Sequence, residues 1–137
     1  MCDHIRRHDL EGLKRAVDHG LKINDQSEYS YSLLHIAVDN IDEDIVKFLL
    51  KRGADVNSVD YSCRDALYIA TRSYMANCLN KDSVILRIIK MLLDYGSDPD
   101  RETGHFYTSR QLAEAYGLSE VTNLFVSGVS VKVANRK

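Results

Sequence analysis

One spacing governs what this chain can fold into: a glycine-centred turn that returns after 33 residues. Asp18-His19-Gly20-Leu21-Lys22-Ile23-Asn24 is echoed by Lys51-Arg52-Gly53-Ala54-Asp55-Val56-Asn57, with 33 residues from Gly20 to Gly53 and from Asn24 to Asn57. A third copy, Asp94-Tyr95-Gly96-Ser97-Asp98-Pro99-Asp100, follows 43 residues after Gly53, so the middle unit is longer than its predecessor. Each glycine closes a run whose apolar residues recur at helical spacing: Leu13, Ala16 and Val17; Ile45, Phe48, Leu49 and Leu50; Ile85, Ile88, Ile89, Leu92 and Leu93. A glycine there fits a left-handed C-cap, because it has no Cβ to penalise a positive φ.

A second, shorter amphipathic stretch precedes each of these helices. Leu33–Val38 leads into a helix around 43–51, Ala66–Thr71 into one around 82–94, and Gln111–Ala115 into one around 119–126; residues 3–7 lead into the helix around 11–18. Ala37, Ala70 and Ala113 fall at one repeat position, where two helices must approach closely. Each unit is therefore expected to be a helix pair joined to the next by a turn-rich segment. The expected architecture is all-α: a solenoid of about four helix-turn-helix repeats. Their bounds are near 1–24, 25–57, 58–100 and 101–126, with a tail over 127–137.

These residues carry a resemblance. Leu34-His35-Ile36-Ala37, followed by Asp44-Ile45-Val46-Lys47-Phe48-Leu49-Leu50-Lys51-Arg52-Gly53-Ala54-Asp55-Val56-Asn57, resembles an ankyrin repeat. His8–Lys14 is similar to the second half of an N-terminal capping repeat, and Thr108–Val121 to a C-terminal one. The third unit departs from the pattern: Asp65-Ala66-Leu67-Tyr68 stands where the family has Thr-Pro-Leu-His, and Cys63 replaces the usual turn glycine. The resemblance covers roughly residues 4–126 and implies a binding module rather than an enzyme. It also implies that His35 hydrogen-bonds the backbone of a neighbouring turn.

Bulk properties narrow the class. A chain of 137 residues suits one domain, and a formal charge of −2 offers no electrostatic case for nucleic acid. No apolar run approaches the roughly 18–20 residues that a membrane span needs, and residues 1–7 lack the apolar core of a signal peptide. Three widely spaced cysteines, Cys2, Cys63 and Cys78, form no disulfide framework and fit a reducing compartment. The expectation is a cytoplasmic protein, or one acting in a host cytosol, monomeric by itself, without cofactor, metal or membrane partner.

On the ankyrin register, the positions that the fold leaves free are those expected to meet a protein partner. They are Arg6 and Arg7 in the first repeat, and Tyr29, Tyr31, Asp39 and Asn40 in the second. In the third they are Tyr61, Arg64 and Arg72, with Tyr74 just beyond, and in the fourth His105, Tyr107 and Tyr116. Tyrosine and arginine dominate binding hot spots because they join a large, stiff contact area to a polar group. The alternative is that tyrosines in turns pack on neighbouring turns. The partner would meet an inhibitor, an adaptor or an effector, or an antitoxin-like immunity protein.

Other constellations are weaker. His4 and His8 stand four apart near Cys2, but Ile5 and Arg6 occupy the place of a metalloprotease glutamate, and paired arginines repel a cation. Nothing in the chain places Cys78 beside His105, and the seven glycines are spread as turn residues rather than a phosphate loop. The extra residues around 72–81 either lengthen both helices of the third unit or protrude as a loop. The tail alternates valine with polar residues, a pattern for a strand added to a partner or for a frayed end.

Overall fold

The computed structural model describes residues 9–24, 32–76, 83–102 and 107–125. Its helices are α1 (Leu10–Asp18), α2 (Leu33–Asp39), α3 (Glu43–Lys51), α4 (Ala66–Ala76), α5 (Ser83–Asp94), α6 (Ser109–Ala115) and α7 (residues 119–125), with no strand among the described residues. No helix among them is long and apolar enough to cross a membrane.

A short polar side chain starts most of these helices by accepting a bond from an orphan backbone N–H. Asp9 serves Gly12 at 2.9 Å, Asp42 serves Ile45 at 3.2 Å, and Asp65 serves Tyr68 at 2.8 Å. At α2 and α6 the bond is reciprocated. Ser32 Oγ accepts from the His35 N–H while the Ser32 N–H donates to His35 Nδ1, and Thr108 and Gln111 exchange the same pair of bonds. Tyr68 holds that third position in α4, and a phenol has no acceptor that can fold back to the cap.

The helix ends repeat one another just as closely. After α3, the Ala54 N–H donates to the Leu49 carbonyl and the Gly53 N–H to the Leu50 carbonyl; after α5, Ser97 and Gly96 do the same to Leu92 and Leu93. Gly53 and Gly96 take φ of +91° and +105°, which the closure requires. Two side-chain-bearing residues share this backbone region. Ile41 ends α2 at φ +57°, with Asp42 bonded to Ala37 and Ile41 to Val38 in the same pattern, and Cys63 turns at φ +61°.

Packing produces two layers. α2 lies between α4 and its own pair α3, α4 packs on α5 and α6, and α3 packs on α5. The first helices thus line one layer and the second helices the other. Leu13, Leu34, Ile45, Leu49, Leu67, Ile88, Ile89, Leu92, Val121 and Phe125 fill one continuous core between them, each at most 1% exposed. No single helix pair of this length could bury its apolar face, so stacking supplies the stability.

The extra residues of the third unit lengthen both of its helices. α4 runs 11 residues against 7 in α2 and α6, and α5 runs 12 against 9 in α3. Ile41 and Gly117 stop the first helix four residues after Ala37 and Ala113; four residues after Ala70, Tyr74 continues the helix instead. Residues 77–82, with Cys78, lie outside the described residues.

Candidate functional site

The candidate surface is the exposed side of α2, α4 and α6 with the turns ahead of them. Tyr61 stands in the turn before α4, Tyr107 immediately before α6, and Tyr116 caps the end of α6; they are 78%, 49% and 60% exposed. Asp39 is exposed at the end of α2, and Arg72 is exposed on α4. Asn40 caps α2 half-buried, with its side-chain Nδ2 shielded and making no hydrogen bond. Arg6, Arg7, Tyr29, Tyr31 and His105 lie outside the described residues, as do Cys2, His4, His8 and the tail from 126 onward.

Two of the sequence-derived residues are placed elsewhere. Tyr74 is only 6% exposed, because the continuation of α4 turns its ring into the core, and its hydroxyl donates to Glu120 Oε2 at 2.8 Å. It is an internal brace, not part of the open face. Arg64 is mostly covered and bound to Asp60, with Nε and Nη2 at 3.0 and 2.9 Å from Oδ2. The buried Asp60 also accepts from the backbone N–H groups of Ser62 and Arg64, both at 2.9 Å, so its carboxylate shapes the turn that carries Tyr61.

Around Tyr68 the chain gathers what the sequence lists separately. Its phenol lies close enough to Arg72, Arg64 and Tyr116 to feel each of them. Burial raises its pKa above the ordinary 10.0, against the pull of both arginines, so it stays a neutral donor. Tyr68 is missing from the sequence-derived set. The signal that would have found it is its place three residues after the cap Asp65, where His35 and Gln111 fold back onto the cap and a phenol cannot; its ring is buried, 6% exposed.

His35 meets its expectation. Its Nε2–H donates to the Ser58 carbonyl at 3.1 Å and its Nδ1 accepts from Ser32, which clasps α2 to the turn leading into the third unit. Burial lowers its pKa, keeping the ring neutral. Asn24 spans the preceding boundary: its Nδ2 donates to the Gly53 carbonyl at 3.1 Å and its Oδ1 accepts from the Asp55 N–H at 2.8 Å. These are positioning contacts, and they leave the exposed tyrosines as the chemistry of the surface. Among the described residues no three His, Cys, Asp or Glu side chains gather as a metal site.

Comparison with known proteins agrees with this geometry. A family model of ankyrin repeats in three copies matches residues 3–103. An ankyrin repeat domain from Acinetobacter baumannii AYE superposes with a TM-score of 0.82 at 22% identity, over 93% of this chain and 62% of that one. Glycerophosphocholine phosphodiesterase gde1 of Schizosaccharomyces pombe is 37% identical over 89 residues, 64% of this chain but 7% of that protein. So small a share of the phosphodiesterase carries no activity over to this chain.

Proposed function

This chain belongs to the ankyrin repeat family, whose repeats are generally protein-binding modules, and on that premise we propose that it captures one protein partner through its first-helix face. The observation that supports this reading is the exposure of Tyr61, Tyr107 and Tyr116 on the turns and cap of that face. Large rings kept in water on one side of a small domain are costly unless something covers them. Each such ring contributes roughly 2 kcal/mol or more when it becomes an interface anchor. A rigid stack holds the three rings without ordering cost at the moment of binding, so the interface needs few other anchors. The role is that of an inhibitor, adaptor or effector acting by occlusion or recruitment, without chemistry of its own.

The test is affinity capture from lysate of the source organism with mass spectrometry. It compares the native chain with a Tyr61→Ala, Tyr107→Ala, Tyr116→Ala variant whose circular dichroism is unchanged. A partner held by the native chain and lost by the variant supports the reading. A partner held equally by both, or none at all, overturns it.

A further inference from the structure

Asp39 and Arg72 occupy the same place in consecutive repeats, two residues after Ala37 and Ala70, and both are exposed. Neither makes a hydrogen bond or ion pair with another described residue. Their helices, α2 and α4, pack side by side, which separates the two positions by about 10 Å, the usual distance between packed helix axes. Among the described residues, this repeat position therefore places a negative charge on α2 and a positive charge on the adjacent α4, in fixed order along the stack.

We propose that the partner docks a helix presenting an acidic side chain to Arg72 and a basic side chain to Asp39, about 10 Å apart. On an α-helix that distance is seven residues, which also returns the two side chains to one face. The pair selects and orients the partner, while the tyrosines supply the contact area. This inference rests on the protein-binding reading and specifies its partner.

Three lactam-stapled, alanine- and leucine-rich helical peptides test it. They carry Glu and Lys seven residues apart, Glu at both positions, or Lys at both. Binding is read by fluorescence anisotropy and by the backbone and tyrosine NMR signals of the intact chain. The native chain should favour the mixed peptide by about fivefold, the ceiling for exposed ion pairs. Arg72→Glu should move the preference to the Lys/Lys peptide, and Asp39→Lys to the Glu/Glu peptide. Both side chains are exposed, so both variants should keep native circular dichroism. Equal binding of all three peptides, or a preference that neither variant moves, overturns the charge pair. If the signals of Tyr61, Tyr107 and Tyr116 still respond to every peptide, the binding face itself stands. If no peptide binds, the inference fails, and lysate capture judges the protein-binding reading by itself.

Discussion

Cys63 holds a left-handed backbone conformation at φ +61° that its side chain disfavours. For a residue with a Cβ this conformation costs roughly 1–2 kcal/mol. Replacing Cys63 by glycine removes that cost. It also loosens the unfolded chain, which takes back about 0.4–1 kcal/mol, and it gives up a half-buried thiol that contributes little. The expected net gain is about 0.5–1 kcal/mol. Gly53→Ala makes the opposite change at φ +91°, where an added Cβ would meet nothing within 4 Å, so the loss is purely conformational and of similar size. Cys63→Ala keeps the Cβ and should gain nothing. Ile41→Gly relieves the same strain at φ +57° but strips a partly buried isoleucine from the core, and should come out near neutral. Urea unfolding followed at 222 nm, under reducing conditions at pH 7, reads these differences. With a slope of about 2 kcal/mol per molar, Cys63→Gly should raise the midpoint by roughly 0.3–0.5 M and Gly53→Ala should lower it as much. A lower midpoint for Cys63→Gly at unchanged slope would refute the strain at this turn.

Three further expectations follow from the contacts. Tyr74→Phe removes the hydroxyl bond to Glu120 from a buried ring and should cost about 1 kcal/mol in the same urea assay, with Glu120→Gln adding little once Tyr74 is phenylalanine. Because the folded pKa of His35 lies below 6.5, the unfolded chain takes the proton first; stability should be full above that pH and fall as pH drops through the lowered value. Asp65 acts oppositely, since burial raises its pKa and its protonation relieves the folded state, so His35→Gln should flatten or invert the slope measured between pH 6.5 and 5. Arg87 pairs with Glu43 at 2.7 Å on the exposed side of α3 and α5; Arg87→Ala should cost less than about 1 kcal/mol, and less still at high salt.

The fold was legible in the chain because stacking repeats write the same constraint several times. The glycine stops, the apolar faces and the small residues at Ala37, Ala70 and Ala113 each point to one architecture, and the observed helices start and end close to where that pattern puts them. The surface was less legible. Register alone identifies Tyr61, Tyr107 and Tyr116 as free positions, and they are exposed. It fails at Tyr74, because register assumes that every first helix stops at the same place. In the third unit the first helix continues past that place to Ala76, so a nominal surface ring is carried inward. Arg64 fails differently: only the fold brings the carboxylate of Asp60 under its turn.

The contact between Tyr74 and Glu120 joins the first helix of one repeat to the second helix of the next. The pair between Arg87 and Glu43 ties neighbours within a single layer. In a framework of parallel rods, ties within a layer oppose spreading, whereas a diagonal member opposes shear. The diagonal between Tyr74 and Glu120 therefore braces the third repeat against the fourth in the direction that ties within a layer leave open. The junction between the second and third repeats is held differently, by the His35 bond to the Ser58 carbonyl and by the Arg87–Glu43 pair.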